Sequence, residues 1–557
     1  MKRARRAGPI PPSPNPAATR AAGSEAWTWV VLAAIVLFFV AVRVRLLAMP
    51  LERDEGEYAY AGQLLLRGIP PYRLAYNMKW PGIYLAYALV MAVFGQSTIG
   101  IHLGLLVVNA AAIVLVFLLA RELFNARAGL AAAVAYGMLV VGPQIMGSQA
   151  HATHFAVVPA LGGLLLLLRS AASRRRLPLC AAGLLLGLTP LIKQQAVFLS
   201  AFALLYVAWS EWRARAFPPL GRAGRVLLFA VCLVLPLLAT CAWLAAAGVL
   251  DRFWFWTIDY ARAYVSEPTT ALQNFAIMTP RLAAPNAMLW VLAALGLLLV
   301  WTESAARHRA AFVTGFFIAA FLTICPGYHF REHYYVTWMP ALAVLDGAFV
   351  FAGANLMRAR RALSGLAWAP SVAFGVAMIW AVATQSAFLF TTPPAEASRA
   401  IYGTNPWPES VEIARYIRAR TGPDDTIAVL GSEPQIYFYS GRRSATGYIY
   451  VYGLMEPQPY AHRMQLEMIR EIERARPKFI VNVVIGSSWL RRADSDPTLF
   501  DWQRGYLPAH YQLAGWVLTH LDGNTPGDYH TDYVWDAALA ARSPDPRYQT
   551  IYVLERK

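Results

Sequence analysis

Long apolar runs recur through the first two thirds of the chain, separated by short polar and charged segments. A helix that crosses a bilayer needs roughly 20 predominantly apolar residues. On that scale the pattern predicts eleven spans, at about 27–48, 101–120, 128–148, 155–168, 177–192, 196–209, 226–248, 282–301, 310–325, 334–353 and 364–389. The shorter apolar segment 82–95 predicts a re-entrant or interfacial helix. The chain is therefore expected to be a polytopic α-helical membrane protein.

After residue 389 the pattern changes to short apolar segments broken by charges and prolines. Segments 409–420 and 461–477 have helical periodicity, and four strands are predicted at 426–431, 478–486, 511–518 and 548–556. Helices alternating with strands are typical of a small α/β domain in water. The predicted organisation has three parts, namely a disordered N-terminus (1–26), a membrane domain (27–389) and a soluble α/β domain (390–557).

The chain has a formal net charge of +17. The positions of its Lys and Arg residues indicate a membrane topology rather than a nucleic-acid partner. Most of the Lys and Arg residues between spans fall in segments that would be cytoplasmic if the N-terminus is cytoplasmic. This is the distribution that the positive-inside rule describes. We therefore expect a multi-pass protein of the plasma or inner membrane, with a cytoplasmic N-terminus and an extracytoplasmic C-terminal domain. No nucleic-acid partner is expected.

Ionisable side chains near a membrane are costly and usually functional. With this topology, most of them lie on the outer side. They are Asp54, Glu55, Glu57, Lys79, His151, His154, Lys193, His329, Arg331, Glu332 and His333. Their clustering on one side predicts a functional site at the outer membrane surface.

The acidic segment that follows the first span allows two interpretations. Asp54 and Glu57 are three residues apart, which matches a capping box at the start of an interfacial helix. Alternatively, Asp54 and Glu55 form a carboxylate pair at the mouth of a cavity, where a carboxylate can act as general base toward an acceptor hydroxyl. The sequence leaves both open.

Four cationic or imidazole side chains are candidates for binding a phosphate. A Lys ammonium is a good point charge for phosphate, so Lys79 is one candidate, although it could instead snorkel beside Trp80. Lys193 lies between two spans, where a phosphate or glycan contact is favoured over a plain loop position. Arg331 and His333 suit a phosphate or pyrophosphate leaving group.

Two histidine pairs are predicted to face the same side. His151 and His154 are three residues apart, and His329 and His333 are four apart. Together with Glu57 they are candidates to contact substrate or a divalent metal. Two separate hydrogen-bonding pairs are the commoner arrangement, so no metal is assigned from the sequence.

These segments together resemble the GT-C superfamily of integral membrane glycosyltransferases. They are most similar to family 39, which includes the protein O-mannosyltransferases and the lipid A aminoarabinose transferases. Asp54 and Glu55 follow the first span, as in the family's first outer loop. Lys79–Gly82 resembles the family's Lys-Pro-Pro segment, and His329–Tyr335 resembles the late loop that meets the lipid phosphate. His151 falls where relatives carry a second outer-loop motif that is acidic or polar.

The resemblance implies an inverting sugar transfer on the outer face of the membrane, from a polyprenyl-phosphate-linked donor. By the same resemblance, Asp54 matches the proposed catalytic base, and Lys79 and Arg331 match groups that hold the donor phosphate. His151 and His154 replace the second-loop acidic residue of some relatives, which leaves a divalent metal open. The acceptor could be a lipid, a polysaccharide or a protein, with membrane lipids as the surroundings.

Two other classes of function compete with a glycosyltransferase. A transporter or lipid flippase would carry ionisable residues at mid-span on discontinuous helices, whereas here they lie at the outer ends of the spans. A non-catalytic scaffold would use the soluble domain for interactions. Retained function after loss of both Asp54 and Lys79 would favour the scaffold, and the absence of turnover of any polyprenyl-phosphate sugar would favour the transporter.

Overall fold

The structure, a computed structural model, describes residues 16–263, 270–521, 529–535 and 549–557. The predicted N-terminal segment 1–26 thus lies mostly outside the described residues, and the first helix begins at Pro16. The helices before residue 391 are α1 (Pro16–Val44), α2 (Arg53–Leu66), α3 (Gly82–Phe94), α4 (Thr98–Leu123), α5 (Ala126–Leu139), α6 (Ala152–Ser173), α7 (Arg176–Ile192), α8 (Val197–Arg213), α9 (Pro219–Ala246), α10 (Leu250–Trp254), α11 (Ala261–Ala263), α12 (Ala271–Ala283), α13 (Ala287–Thr302), α14 (Ala310–Leu322), α15 (Met339–Ala359), α16 (Ala369–Thr384) and α17 (Ser386–Phe390).

The predicted membrane class is confirmed, although the helices differ in length from the predicted spans. Among the described residues, seven helical segments are long and apolar enough to cross a membrane: Glu25–Val44, Thr98–Leu123, Ala152–Ser173, Pro219–Ala246, Ala271–Thr302, Met339–Ala359 and Arg361–Thr384. The other predicted spans fall on shorter helices. For example, α5 stops at Leu139, because the chain then turns through a 3₁₀ segment at Pro143–Ile145.

Close helix contacts through small residues hold the bundle together. The helix α15 is buried along most of its length and packs on α5 and α13. A Cβ added to Gly347 would lie 2.5 Å from the Ala128 carbonyl oxygen, and one added to Gly296 would lie 2.1 Å from that of Leu345. Lipid-embedded helices associate largely through such backbone approach, because no hydrophobic driving force acts between them in the bilayer.

The short helix α2 lies between the bundle and the C-terminal domain. Most of its side chains are buried, which an interfacial helix exposed on one face would not show. A Cβ on Gly56 would lie 2.6 Å from the backbone nitrogen of Gln435, so glycine permits α2 to meet the C-terminal domain at this point. The helix α2 therefore connects the helical bundle to the C-terminal domain.

The C-terminal region contains a six-stranded sheet with helices beside it. Its elements are α18 (Pro394–Tyr402), α19 (Trp407–Arg420), β1 (Thr426–Leu430), α20 (Gln435–Ser440), β2 (Arg443–Ser444), α21 (Tyr452–Met455), α22 (Ala461–Ala475), β3 (Phe479–Val484), α23 (Gly486–Trp489), α24 (Thr498–His510), β4 (Tyr511–Leu521), β5 (Tyr529–Val534) and β6 (Gln549–Arg556). The strand order is β2-β1-β3-β6-β4-β5. The first three strands are parallel and the last three pair antiparallel. The four predicted strands and the two predicted helices are confirmed.

Candidate active site

The first turn of α2 is capped differently from the capping box considered in the sequence. Glu52 is the N-cap residue, and its side chain accepts a hydrogen bond from the backbone N–H of Glu55 at 2.9 Å. The Glu55 carboxylate in turn accepts from the N–H of Glu52 at 3.2 Å. The alternative box between Asp54 and Glu57 does not form. Both of those carboxylates are therefore available for other contacts.

Glu55 is completely buried and faces away from the open part of the site. Besides the cap, its carboxylate accepts from the Ala150 N–H at 2.6 Å and lies 3.0 Å from Nε2 of His102. These contacts join α2 to the start of α4 and to the segment before α6. Glu55 was predicted as a catalytic partner of Asp54, but its contacts are those of a residue that holds α2 in place.

Lys79 lies between two carboxylates of α2. Its ammonium donates to Oδ1 of Asp54 at 2.8 Å and to Oε2 of Glu57 at 2.7 Å. Glu57 also accepts from Asn77 at 2.8 Å and from the hydroxyl of Tyr84 at 2.7 Å. Lys79 thus pairs with two carboxylates. Glu57 accepts two further hydrogen bonds, whereas Asp54 lies at the edge of the open part of the site.

The charges of this trio shift its pKa values in different directions. Burial would raise the pKa of Asp54, but the charge and hydrogen bond of Lys79, together with His333 and His151, outweigh burial and hold the pKa well below its usual range. For Glu57, burial prevails over Lys79 and raises the pKa. Burial lowers the pKa of Lys79, yet the two carboxylates more than compensate and raise it. At neutral pH the trio therefore keeps a charged Lys79 paired with an ionised Asp54.

A cavity of about 280 Å³ opens beside this trio. Its lining includes residues from α2, from the loops before α3, α8 and α15, and from the C-terminal domain, among them Asp54, Asn77, Lys79, Lys193, Gln194, Gln195, His329, Arg331, His333, Tyr334, Tyr450 and Tyr452. Three of these side chains are cationic and one is a carboxylate. Such an excess of positive charge suits an anionic ligand.

Lys193 reaches the cavity from the end of α7. Its ammonium lies 4.5 Å from the centre of the Tyr334 ring, and it forms no ion pair with a described residue. Burial lowers the pKa of Lys193 to about 8, although Asp54 acts in the opposite direction. Nearby, the Gln194 side chain donates to the Met78 carbonyl, which ties this loop to the loop that carries Lys79.

The histidines do not form one cluster of four. His151 and His333 stack with ring centres 4.2 Å apart, and their nearest nitrogens lie 4.0 and 3.9 Å from Oδ2 of Asp54. Burial lowers the pKa of His151 to about 4 and places that of His333 well below its usual range, so both rings are neutral at pH 7. His154 is buried in the first turn of α6 and does not line the cavity. His329 lines another part of it, and burial lowers its pKa to about 4.

The site offers the right atom types for a divalent metal but not the right arrangement. Oxygen and imidazole ligands of Asp54, His151 and His333 come within 4.8 Å of one another. However, the two rings are parallel to within 13°. A metal binds in the plane of each imidazole, about 2.0–2.1 Å from the nitrogen. Two stacked rings cannot both meet that condition unless one rotates, so the observed geometry does not fit a shared metal.

The C-terminal domain completes the site, although no pattern in the sequence predicts this. Tyr450 and Tyr452 line the cavity, and the Lys79 ammonium lies 5.5 Å from the centre of the Tyr450 ring. Behind them, the buried Arg53 guanidinium donates to Glu433 at 3.2 Å and to the Tyr452 hydroxyl. The aromatic run at 448–452 was the only visible signal, and nothing in the chain order links it to α2.

Comparisons with known proteins agree with this architecture. Residues 79–240 match the family model described as dolichyl-phosphate-mannose-protein mannosyltransferase. No curated protein matches the chain at a significant level. The matched segment includes Lys79, His151 and Lys193, but not Asp54.

Solved structures of two kinds share the fold. ArnT from Cupriavidus metallidurans bound to undecaprenyl phosphate is 15% identical with a TM-score of 0.58, and the match covers 93% of this chain and 99% of that chain. The archaeal oligosaccharyltransferase AglB from Archaeoglobus fulgidus, in complex with an inhibitory peptide and a dolichol-phosphate, is 13% identical with a TM-score of 0.51, covering 94% and 75%. Together with the family match, they confirm the predicted GT-C fold and the predicted resemblance to membrane glycosyltransferases.

Proposed function

We propose that this protein transfers a sugar from a polyprenyl-phosphate-linked donor to an acceptor hydroxyl, with inversion at the anomeric carbon and Asp54 as general base. The reaction takes place on the side of the membrane where the C-terminal domain lies, which we predict to be the outer side. The observation that carries the proposal is the pairing of Asp54 with Lys79 at the wall of a cavity that also presents Lys193 and Arg331.

The positively charged side chains of the cavity suit the leaving group of such a reaction. A polyprenyl-phosphate sugar releases a phosphate that gains negative charge as the glycosidic bond breaks. Lys79, Lys193 and Arg331 place three cations around one space, and preorganised charges of this kind stabilise a developing anion. The structures with the same fold include ones bound to undecaprenyl phosphate and to a dolichol-phosphate, which supports a lipid phosphate as ligand here.

The proposed step is a single displacement. The acceptor oxygen forms a bond to the anomeric carbon while the bond from that carbon to the phosphate oxygen breaks. The electron pair of the broken bond leaves with the polyprenyl phosphate, and the acceptor proton moves to the Asp54 carboxylate. Because attack and departure occur on opposite faces of the sugar, the anomeric configuration inverts.

Lys79 connects donor binding to the strength of the base. In the present structure Lys79 lowers the pKa of Asp54, which makes this carboxylate a weak base. A donor phosphate competes for the same ammonium, and sharing Lys79 with it would let the pKa of Asp54 rise. The base would then gain proton affinity only when donor occupies the cavity. General bases work best when their pKa approaches the operating pH.

The test is transfer of a labelled sugar from polyprenyl-phosphate donors in membranes, comparing wild type, Asp54→Asn and Asp251→Asn at equal expression. Asp251 is an exposed aspartate of α10 outside the cavity lining, so it serves as the matched control. We expect transfer by wild type and by the control, and a loss of about 10²–10⁴-fold in Asp54→Asn, the range contributed by a positioned base.

Two outcomes would contradict the proposal in different ways. An active Asp54→Asn protein would remove Asp54 as base but leave the glycosyltransferase assignment standing. No turnover by wild type with any of several donor sugars would favour the transporter or flippase alternative, and flux of a lipid-linked sugar across vesicles would then be measured.

A further inference from the structure

A second cavity lies at the other end of α2, away from the proposed catalytic site. It has a volume of about 900 Å³ and is enclosed by the end of α2, the start of α4 and the C-terminal domain around α19 and β2. Arg67 follows the last residue of α2, thirteen residues after Asp54. At 1.5 Å per residue the two are about 20 Å apart along the helix. The two cavities share no lining residue.

Arginine side chains dominate the charge of this second cavity. Arg67, Arg418, Arg442 and Arg443 line it, and Asp424 is the only carboxylate among its lining residues. Asp424 lies 3.9 Å from Arg443, but its side chain is fully exposed and its charge is therefore well screened by water.

One arginine is fixed in place by the fold. Arg442 donates from Nε to the Thr421 hydroxyl and from a terminal nitrogen to the Thr421 carbonyl, both at 2.7 Å. Burial lowers the pKa of Arg442, and the neighbouring charges of Arg418 and Arg67 lower it further, while Asp425 acts in the opposite direction. Like charges held together in this way favour a bound anion, which relieves their repulsion.

The cavity wall also carries a buried amide with an unused acceptor. Gln63 is 5% exposed and donates to Gln96 at 3.1 Å, while its own oxygen has no hydrogen-bond partner among the described residues. Buried acceptors are nearly always hydrogen-bonded, so a donor is expected at this position. A ligand that brought a hydroxyl group as well as a negative charge would satisfy both features of the cavity.

The cavity opens at the level where lipid-facing side chains end. Its rim includes Ala48 and Pro50, just after the first span, and Ser97, the N-cap of α4. Next to the rim, Val93 and Ile99 are 66% and 50% exposed. Exposed apolar side chains of membrane helices face acyl chains, so this rim lies near the headgroups.

We propose that this arginine-lined cavity binds a phosphate ester that carries free hydroxyl groups. The phosphate contacts Arg67, Arg418 and Arg443, and a hydroxyl donates to Gln63. This chemistry belongs equally to a glycerol-phosphate lipid headgroup and to a soluble glycerol phosphate. The site is independent of the proposed function, because it lies at the far end of α2 from Asp54 and Lys79.

The test compares the full-length protein with an Arg418→Gln/Arg443→Gln variant. The probes are nanodiscs that contain phosphatidylglycerol in phosphatidylcholine, with retained lipid measured by native mass spectrometry, and soluble glycerol 1-phosphate, measured by calorimetry in detergent. Arg415→Gln is the control, because Arg415 is exposed on the same helix outside the cavity. Removing two charges should weaken binding roughly 30-fold, at about five- to sixfold for each.

The two probes separate the possible sources of the phosphate. Selective retention of phosphatidylglycerol that the double variant loses supports a lipid ligand, and a matching loss with glycerol 1-phosphate alone supports a soluble one. An Arg418→Lys/Arg443→Lys variant keeps both charges and should bind nearly as wild type, which separates loss of charge from loss of fold. Equal binding of both probes by wild type and the glutamine variant would overturn the proposal.

Discussion

The first turn of α2 places similar side chains in two different environments. Glu52 and Glu55 turn inward, where they cap the helix and join it to α4 and to the segment before α6. Asp54 and Glu57 turn toward Lys79, and Asp54 borders the cavity. Residues that are neighbours in the sequence thus differ in their contacts and in the consequence of losing them.

The difference follows from the helix period. In an α-helix each residue is rotated by about 100° from the one before it, so residues three or four apart share a face. Glu52 and Glu55 share one face, whereas Asp54 and Glu57 share the other. The face of α2 with Glu52 and Glu55, called the inner face, forms fixed hydrogen bonds to backbone groups. The face of α2 with Asp54 and Glu57, called the outer face, pairs with the Lys79 ammonium, which an anionic ligand can also contact. We expect the inner face to control stability and the outer face to control activity.

The largest effect is expected from Glu55→Ala. This change leaves the Ala150 N–H and the His102 ring without their buried partner, and breaking a buried pair typically costs about 3–5 kcal/mol. We expect a sharp fall in the yield of monodisperse protein and in its melting temperature. Fluorescence-detected size exclusion and a thermal scan in detergent measure both. Asp54→Ala is the matched variant from the outer face and should keep wild-type yield; equal yields for both variants would contradict the division of the two faces.

A smaller loss, of activity rather than folding, is expected from Lys79→Gln. Removing the cation leaves Asp54 and Glu57 facing each other, so one of them takes up a proton and the donor phosphate loses a contact. Loss of a single stabilising group of this kind costs about 10²–10³-fold in turnover. Steady-state transfer kinetics measure it, with Lys478→Gln as control, because Lys478 is a half-exposed lysine of the sheet domain outside the cavity lining. Wild-type turnover in Lys79→Gln would show that the ion pair of Lys79 with Asp54 and Glu57 has only a structural role.

The smallest effect is a pH dependence that arises at Lys193. With a pKa of about 8, Lys193 is charged at pH 7 and mostly neutral at pH 9, so it attracts phosphate less as pH rises. The KM for the donor should rise by up to about tenfold over this interval, because at pH 9 only about a tenth of Lys193 remains charged. In Lys193→Arg, whose side chain stays charged, the KM should be flat. A rise of equal size in that variant would assign the dependence to another group.

Much of the candidate site could be anticipated residue by residue. Asp54, Lys79, Lys193 and Arg331 were singled out because ionisable side chains near a membrane need a reason to be there, and the structure brings all four to one cavity. Their roles in transfer stay predictions. The stacking of His151 on His333 was not foreseen, because hydrogen-bonding and stacking partners far apart in the chain leave no local pattern.

The contribution of the C-terminal domain could not be predicted for the same reason. Tyr450 and Tyr452 face Lys79 and Arg53 across about 370 to 400 residues of chain. Only the docking of that domain on α2, through the buried pair of Arg53 and Glu433, brings them together.

The sequence by itself determined the membrane class, most of the helices and strands, and the side of the membrane on which the charges are predicted to gather. These properties depend on the local period and hydropathy of short segments, which each segment carries alone. The tertiary structure decided which carboxylate of α2 faces the cavity, which histidines meet, and that two domains share one site. Those properties depend on the rotation of each helix and on contacts between distant segments, and only the packed chain defines them.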